Sequence, residues 1–303
     1  MIGSDAAENL RMVAGAKTAL RDWQEQGGEE PGIELVTVAP GGGWAGPANA
    51  IVDALFDPRV LAVIGGRDAA SAHIVAQVTT LSRVPFIALS SDSSLTTAFD
   101  SWVFRMAPSD GQQAEALLAY FDTNSSIRGV RLLTAKSRRG EQQRAELEEA
   151  CRRRGLPVVM KQGEGDVVLL FLEAGSESLA FLRNRAAAGD TAPVGASLGL
   201  LDPSFLAEAA STADGLFVTA LEPAANMQDS TFELARRATS TVLARLDESR
   251  PSTAELRERL TQTRGMESAA WSQGFDQRGK PRAGLQVAVL RQGIAYPTAP
   301  FSD

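Results

Sequence analysis

At 303 residues and 32.1 kDa, with 44% hydrophobic and 22% charged residues, the chain has the apolar material for about two domains of roughly 150 residues, which excludes disorder for most of it. Its 30 basic residues against 37 acidic ones leave a net charge of −7, a surface that repels phosphate backbones, so nucleic acid is not an expected partner. One cysteine (Cys151) and one histidine (His73) give neither an internal disulfide nor a structural zinc site, and no stretch approaches the roughly 18–20 apolar residues of a membrane span. In chain order, Leu10, Val13, Ala16, Leu20 and Trp23 repeat at three or four residues and predict a helix over 9–26, ended by Gly27 and Gly28. A strand over 33–39, a helix over 47–56 and an apolar strand over 60–64 follow, the last closed by Gly65-Gly66. Then come a helix over 71–81, a strand over 84–89, a serine-rich loop and a short strand over 102–105.

A second series has the same grammar: helix 112–121, strand 129–134, helix 140–154, strand 157–160, strand 167–172, helix 176–188, strand 193–196, helix 203–210 and strand 215–218. Helices over 229–246 and 253–263 and strands over 271–275 and 285–291 come after it. Apolar strands alternating with helices predict parallel sheets buried on both faces, hence two α/β lobes. The chain continues once the second lobe is complete, so it is expected to cross between lobes at three or more segments, the first near 108–112 and the second near 221–225.

Two loops could hold a ligand. Gly65-Gly66-Arg67-Asp68 joins an apolar strand to a helix, where free N–H groups can receive an anion; the same glycines also read as plain turn residues. Neither G-x-G-x-x-G nor a P-loop occurs there, and no cofactor or metal is expected. Ser90-Ser91-Asp92-Ser93-Ser94 occupies the equivalent end of the next strand, either as a ligand loop or as a polar loop capping a helix. His73 has no partner visible in sequence and no G-x-S-x-G serine accompanies it, so it reads as structural. Cys151 reads as a packing or surface thiol, and Arg152-Arg153-Arg154 as solvated charge suited to a helix carboxyl end. No catalytic residue is expected.

Several stretches together resemble one family, the substrate-binding proteins of branched-chain amino acid ABC transporters, of the type I periplasmic binding fold. They are Ala14-Gly15-Ala16-Lys17, Val63-Ile64-Gly65-Gly66, Val84-Pro85-Phe86-Ile87 and, most specifically, Val103-Phe104-Arg105-Met106-Ala107-Pro108-Ser109-Asp110-Gly111-Gln112-Gln113, which looks like the family's F-R-T-x-x-S-D-x-Q-Q. Gly215-Leu216-Phe217-Val218 and Phe275-Asp276-Gln277-Arg278-Gly279 look like its later segments. The resemblance covers nearly the whole chain. It implies an α/β architecture of two Rossmann-like lobes with a central ligand cleft and a multi-segment hinge, lobe one being 1–109 and 223–264, lobe two 110–222 and 265–303.

It further implies a non-catalytic receptor outside the cytoplasm that delivers a small molecule to ABC permease subunits; a sensory or regulatory domain of the same fold is the alternative. The family's carboxylate-binding serine aligns with Ala69, beside Arg67 and Asp68, while Ser90, Ser91 and Asp92 hold the next loop. Family aromatics align with Glu8, Arg139 and Ala174, the last beside Glu173, and the acid that pairs an α-ammonium aligns with Ser197. These departures imply a polar or carboxylate-bearing ligand without an amino group, for which Arg139 would offer a planar fork; the other reading points Arg139 to solvent.

Overall fold

The computed structural model describes residues 6–27, 32–38, 46–97, 101–124, 127–160, 166–222, 227–246, 251–262, 275–276, 278–280 and 284–298. The chain divides into two compact units, one from 1–108 and 231–283, the other from 109–230 and 284–303. It therefore passes between them after Pro108, Ser230 and Ala283, where the sequence placed boundaries at 109/110, 222/223 and 264/265. Residues 276–280 go with the first unit for a visible reason. Arg105 N donates to Gly279 O at 2.8 Å, and the Phe104 and Phe275 rings pack in a tilted pair with centroids 5.0 Å apart.

The first unit opens with α1 (Ala6–Glu25), whose Met12, Gly15, Ala16 and Ala19 lie on one face and are buried, and α2 (Gly46–Leu55). Then come β1 (Val63–Gly65), α3 (Ala69–Ser82), β2 (Phe86–Ala88) and β3 (Val103–Arg105), the strands forming a parallel sheet in the order β1-β2-β3. Phe86 and Ala88 sit in its core with Ile51, Ala72, Val75, Leu95 and Val103. The strand expected over 33–39 is not seen: 32–38 carry no sheet pairing among the described residues, although Val38 packs on this core. Ala39 lies outside the described residues.

The second unit starts with α4 (Asp110–Asn124), β4 (Gly129–Thr134), α5 (Arg138–Arg153), β5 (Asp166–Phe171), α6 (Ser176–Ala187), β6 (Val194–Ala196), α7 (Pro203–Ala209) and β7 (Phe217–Leu221). β4 to β7 are parallel neighbours in sequence order. The strand expected over 157–160 contracts to one bridge, Val158 to Val130. The chain then supplies α8 (Ser230–Leu243) and α9 (Thr253–Thr261) to the first unit, and returns as β8 (Leu285–Arg291) and β9 (Ile294–Pro297), antiparallel additions to the edge at β7. Of the strand expected over 271–275, all but Phe275 lies outside the described residues. The core of the second unit joins Leu117, Leu118 and Phe121 of α4, Leu147 and Cys151 of α5, Val167, Leu169 and Phe171 of β5 and Val287 of β8. No helix among the described residues is long and apolar enough to cross a membrane.

The segment from Phe275 to Lys280 shows how one stretch of the resemblance is built. The Asp276 carboxylate accepts from Arg278 N at 2.8 Å and Lys280 N at 2.9 Å, closing a turn in which Gly279 takes φ +75°. A β-carbon there would lie 2.1 Å from Val103 O, so only glycine lets the turn approach β3 closely enough for the bond to Arg105.

Candidate functional site

In parallel α/β sheets ligands bind beyond the carboxyl ends of the strands. Every sequence-derived candidate but Glu8 lies at such an end. Arg67, Asp68 and Ala69 follow β1, and Ser90, Ser91 and Asp92 follow its neighbour β2. In the second unit Arg139 follows β4, Glu173 and Ala174 follow β5, and Ser197 follows β6, three adjacent strands. Glu8 is half-buried on the first turn of α1.

After β1, Gly66 adopts φ +62° and packs so tightly that a β-carbon would meet Ala72 Cα at 2.8 Å, which fixes the turn against α3. Asp68 caps that helix. Its Oδ1 accepts from Ser71 N at 2.9 Å and its Oδ2 from the Ser71 hydroxyl at 2.5 Å. Arg67, half-buried between them in sequence, has its Nε enclosed with no hydrogen-bond partner among the described residues.

After β2, Asp92 is 3% exposed in its side chain and caps a 3-10 turn, Ser93–Thr96. Oδ1 accepts from Ser94 N at 3.0 Å and from Ser94 Oγ at 2.8 Å, and Oδ2 lies 3.1 Å from His73 Nε2. Ser90, buried, accepts from Asp92 N through its hydroxyl at 3.2 Å, and Ser91 is half-buried beside it. The capping and ligand-loop readings are therefore compatible: Asp92 shapes the loop that Ser90 and Ser91 form. A serine, a histidine and an aspartate do meet here, yet not as a relay. Ser94 Oγ lies 3.2 Å from the same His73 Nε2 that faces Asp92. A general-base relay needs the carboxylate on one ring nitrogen and the hydroxyl on the other. His73 thus meets Asp92 and Ser94 through one ring nitrogen, partners that spacing could not reveal, 19 and 21 residues away.

In the second unit Arg139 neither stands open as a fork nor points free to solvent. Its Nη2 pairs with Oδ2 of Asp110, whose side chain is 1% exposed, so the guanidinium already holds a carboxylate of its own unit. Glu173 is exposed and Ala174 half-buried, and Glu173 O accepts from Ser178 Oγ at 2.7 Å, fastening the loop to α6. Ser197 is buried and opens a 3-10 turn, Leu198–Leu200, without a side-chain capping bond.

Ser109 to Gln113, within the most specific stretch of the resemblance, carry a role that no local pattern assigns to all of them. Ser109 Oγ accepts from Gln112 N at 3.1 Å and Gln112 Oε1 from Ser109 N at 2.8 Å, a capping box readable from S-x-x-Q. Gln113, 2% exposed, accepts from Leu198 N and Thr219 Oγ1, both at 2.8 Å; partners 85 and 106 residues away carry no local signal. No group of three or more His, Cys, Asp or Glu among the described residues is placed to hold a metal ion. Cys151 is buried and its thiol is pushed up to about 11 by burial, which makes it a core residue and not a nucleophile.

Two α/β units, each built on parallel strands with loops at their carboxyl ends, joined by three passages of the chain, define a type I periplasmic-binding fold. A sequence profile described as periplasmic binding protein matches residues 1–167, and the chain belongs to that family. Solved structures agree on the fold. An ABC transporter substrate-binding protein from Desulfitobacterium hafniense in complex with Leu is similar at 20% identity over 95% of each chain, with a TM-score of 0.76. A solute-binding protein of an ABC transporter from R. palustris in complex with benzoate is similar at 17% identity over 98% of this chain and 92% of that one, TM-score 0.73. Another, from Rhodopseudomonas palustris BisB5 in complex with 3,4-dihydroxy benzoic acid, shares 16% identity over 99% of this chain and 94% of that one, TM-score 0.76. No protein of curated function matches the sequence.

Proposed function

We propose that this protein is a non-catalytic solute-binding protein that works outside the cytoplasm, hands its cargo to an ABC permease, and takes a small carboxylate-bearing or otherwise oxygen-rich ligand lacking an amino group. The loops after β1 and β2 form one set of contacts, with Arg67, Ala69, Ser90 and Ser91 in front. Those after β4, β5 and β6 form the other, with Arg139, Glu173, Ala174 and Ser197. The observation that carries the ligand class is Arg67: its Nε is enclosed without a partner, while the nearby acids, Asp68 and Asp92, are engaged as caps. A carboxylate oxygen is an acceptor that such an enclosed guanidinium nitrogen can use. An α-ammonium, by contrast, finds at the aligned position only the neutral Ser197. The likeness to folds solved with benzoates supports the reading, though a fold solved with leucine is equally similar.

The test is calorimetric titration with benzoate, short aliphatic carboxylates, leucine and valine. Binding of a carboxylate without an amino group is expected, weakened about ten- to a hundredfold in Arg67→Ala, the scale of a charged hydrogen bond. Tight binding of leucine with no response to any simple carboxylate, lost in Glu173→Gln, would overturn it, because the exposed Glu173 would then be the partner of the ammonium.

A further inference from the structure

The two outer ligand loops of the second unit are fastened to a single helical turn. We infer that Asp110 and Gln113 are positioning residues, which themselves touch no ligand and hold Arg139 and the Ser197–Leu198 turn in place; the inference rests on the function proposed above, in which those loops meet the ligand.

Asp110 and Gln113 stand three residues apart, so they share one face of α4 at its amino end. Asp110, a charge that suits a helix amino terminus, receives the Arg139 guanidinium that follows β4. Gln113 presents one amide oxygen, whose two lone pairs are both used: by Leu198 N, which follows β6, and by Thr219 Oγ1, within β7. The turn is itself immobilised. Gln112 N and Ser109 N are answered by the capping box, Gln113 N by Ser109 O at 2.9 Å, and Gly111 N by Glu146 Oε2 of α5 at 3.0 Å. Its bonds thus run to α5, to the loop after β4, to the loop after β6 and to β7, all inside the second unit. The turn also begins at the residue after the first passage of the chain between units, Pro108 to Ser109.

Residue-resolved amide hydrogen exchange on the full chain separates the two arms without needing a ligand. Gln113→Met should raise exchange at the Leu198 amide at least about tenfold and leave Gly140, capped by Ser137 Oγ at 3.0 Å, unchanged. Asp110→Asn should do the reverse, loosening 138–141 while Leu198 keeps its protection, and Asp110→Glu should restore wild-type behaviour. Should Gln113→Met fail to fold, Gln113→Asn, which keeps an amide but draws it back by one methylene, carries the same expectation. Titration with sodium benzoate and with L-leucine adds the functional arm: whichever probe the wild type binds should bind at least about fivefold more weakly to Gln113→Met and Asp110→Asn, and normally to Asp110→Glu. Unchanged Leu198 exchange in Gln113→Met, loss spread evenly over β4 to β7, or unaltered probe affinity would overturn the assignment. A wild type that binds neither probe counts against the proposed function, and the exchange measurements then decide the positioning claim by themselves.

Discussion

Half-buried Glu233 and buried Cys151 are groups whose folded-state ionisation differs from that of the unfolded chain, and they act at opposite ends of the stability profile. Burial pushes the Glu233 carboxyl up, but the Arg236 hydrogen bonds at 2.8 and 2.9 Å and the Arg237 charge outweigh it and hold the group below the usual carboxylate range. The ion pairs then contribute stability that is fully present above the unfolded value of about 4.3 and is lost as pH falls through the folded one. Cys151 works the other way. Its thiol titrates near 11 in the folded chain against about 8.5 unfolded, so its contribution is complete below about 8.5 and disappears as pH climbs toward 11. Urea midpoints measured from pH 3 to 11 should fall at both ends; Glu233→Gln should flatten the acid limb and Cys151→Ala the alkaline one. A Cys151→Ala profile that still fell as steeply above pH 9 would show that other groups govern that limb.

Among the elements, α3 offers the cleanest separation of a structural role from a binding role. Asp68 lies in the loop where a ligand is proposed, yet both of its carboxylate oxygens serve Ser71. Asp68→Ala should cost about 1 kcal/mol in a denaturation experiment, and Asp68→Asn, which still caps, much less. Neither is expected to alter the preference between carboxylates and leucine; an Asp68→Asn variant that gained or lost a ligand class would return Asp68 to the site. The same elements show what the chain's pattern could reveal. β4 and β8 fall where the apolar runs place them, at 129–134 and 285–291, because a buried strand among helices has a sharp compositional edge. β9 went unread: Ile294 to Pro297 is four residues long, ends in proline and lies at a sheet edge, where little burial is demanded. At the candidate site, loop positions were legible from strand ends alone, but what each side chain does was not. Asp110 pairs with Arg139 29 residues on, and Gln113 with Thr219 106 residues on, distances at which no periodicity operates.

Neither unit of the whole molecule is a continuous piece of chain. The first needs 231–283 as well as 1–108, the second 284–303 as well as 109–230. The span matched by the family profile, 1–167, therefore lacks α8 and α9 from one unit and, from the other, most of β5 and all of α6, α7 and β6 to β9. Expressed by itself, 1–167 should show no cooperative thermal transition and should be degraded by a nonspecific protease under conditions that spare the full chain; a sharp transition in the fragment would show that the first unit completes without α8 and α9. The pairing of β8 with β7 has a further consequence, and it concerns time. β7 ends at Leu221, but its antiparallel partner starts at Leu285, after the chain has left to finish the other unit. A growing polypeptide at roughly 5–20 residues per second thus carries an open sheet edge for seconds before the strand that covers it exists. Closure of this sheet waits until β8 and β9 have been made, long after β7 is in place. Throughout that interval it offers strand-binding helpers an exposed edge that the finished protein conceals.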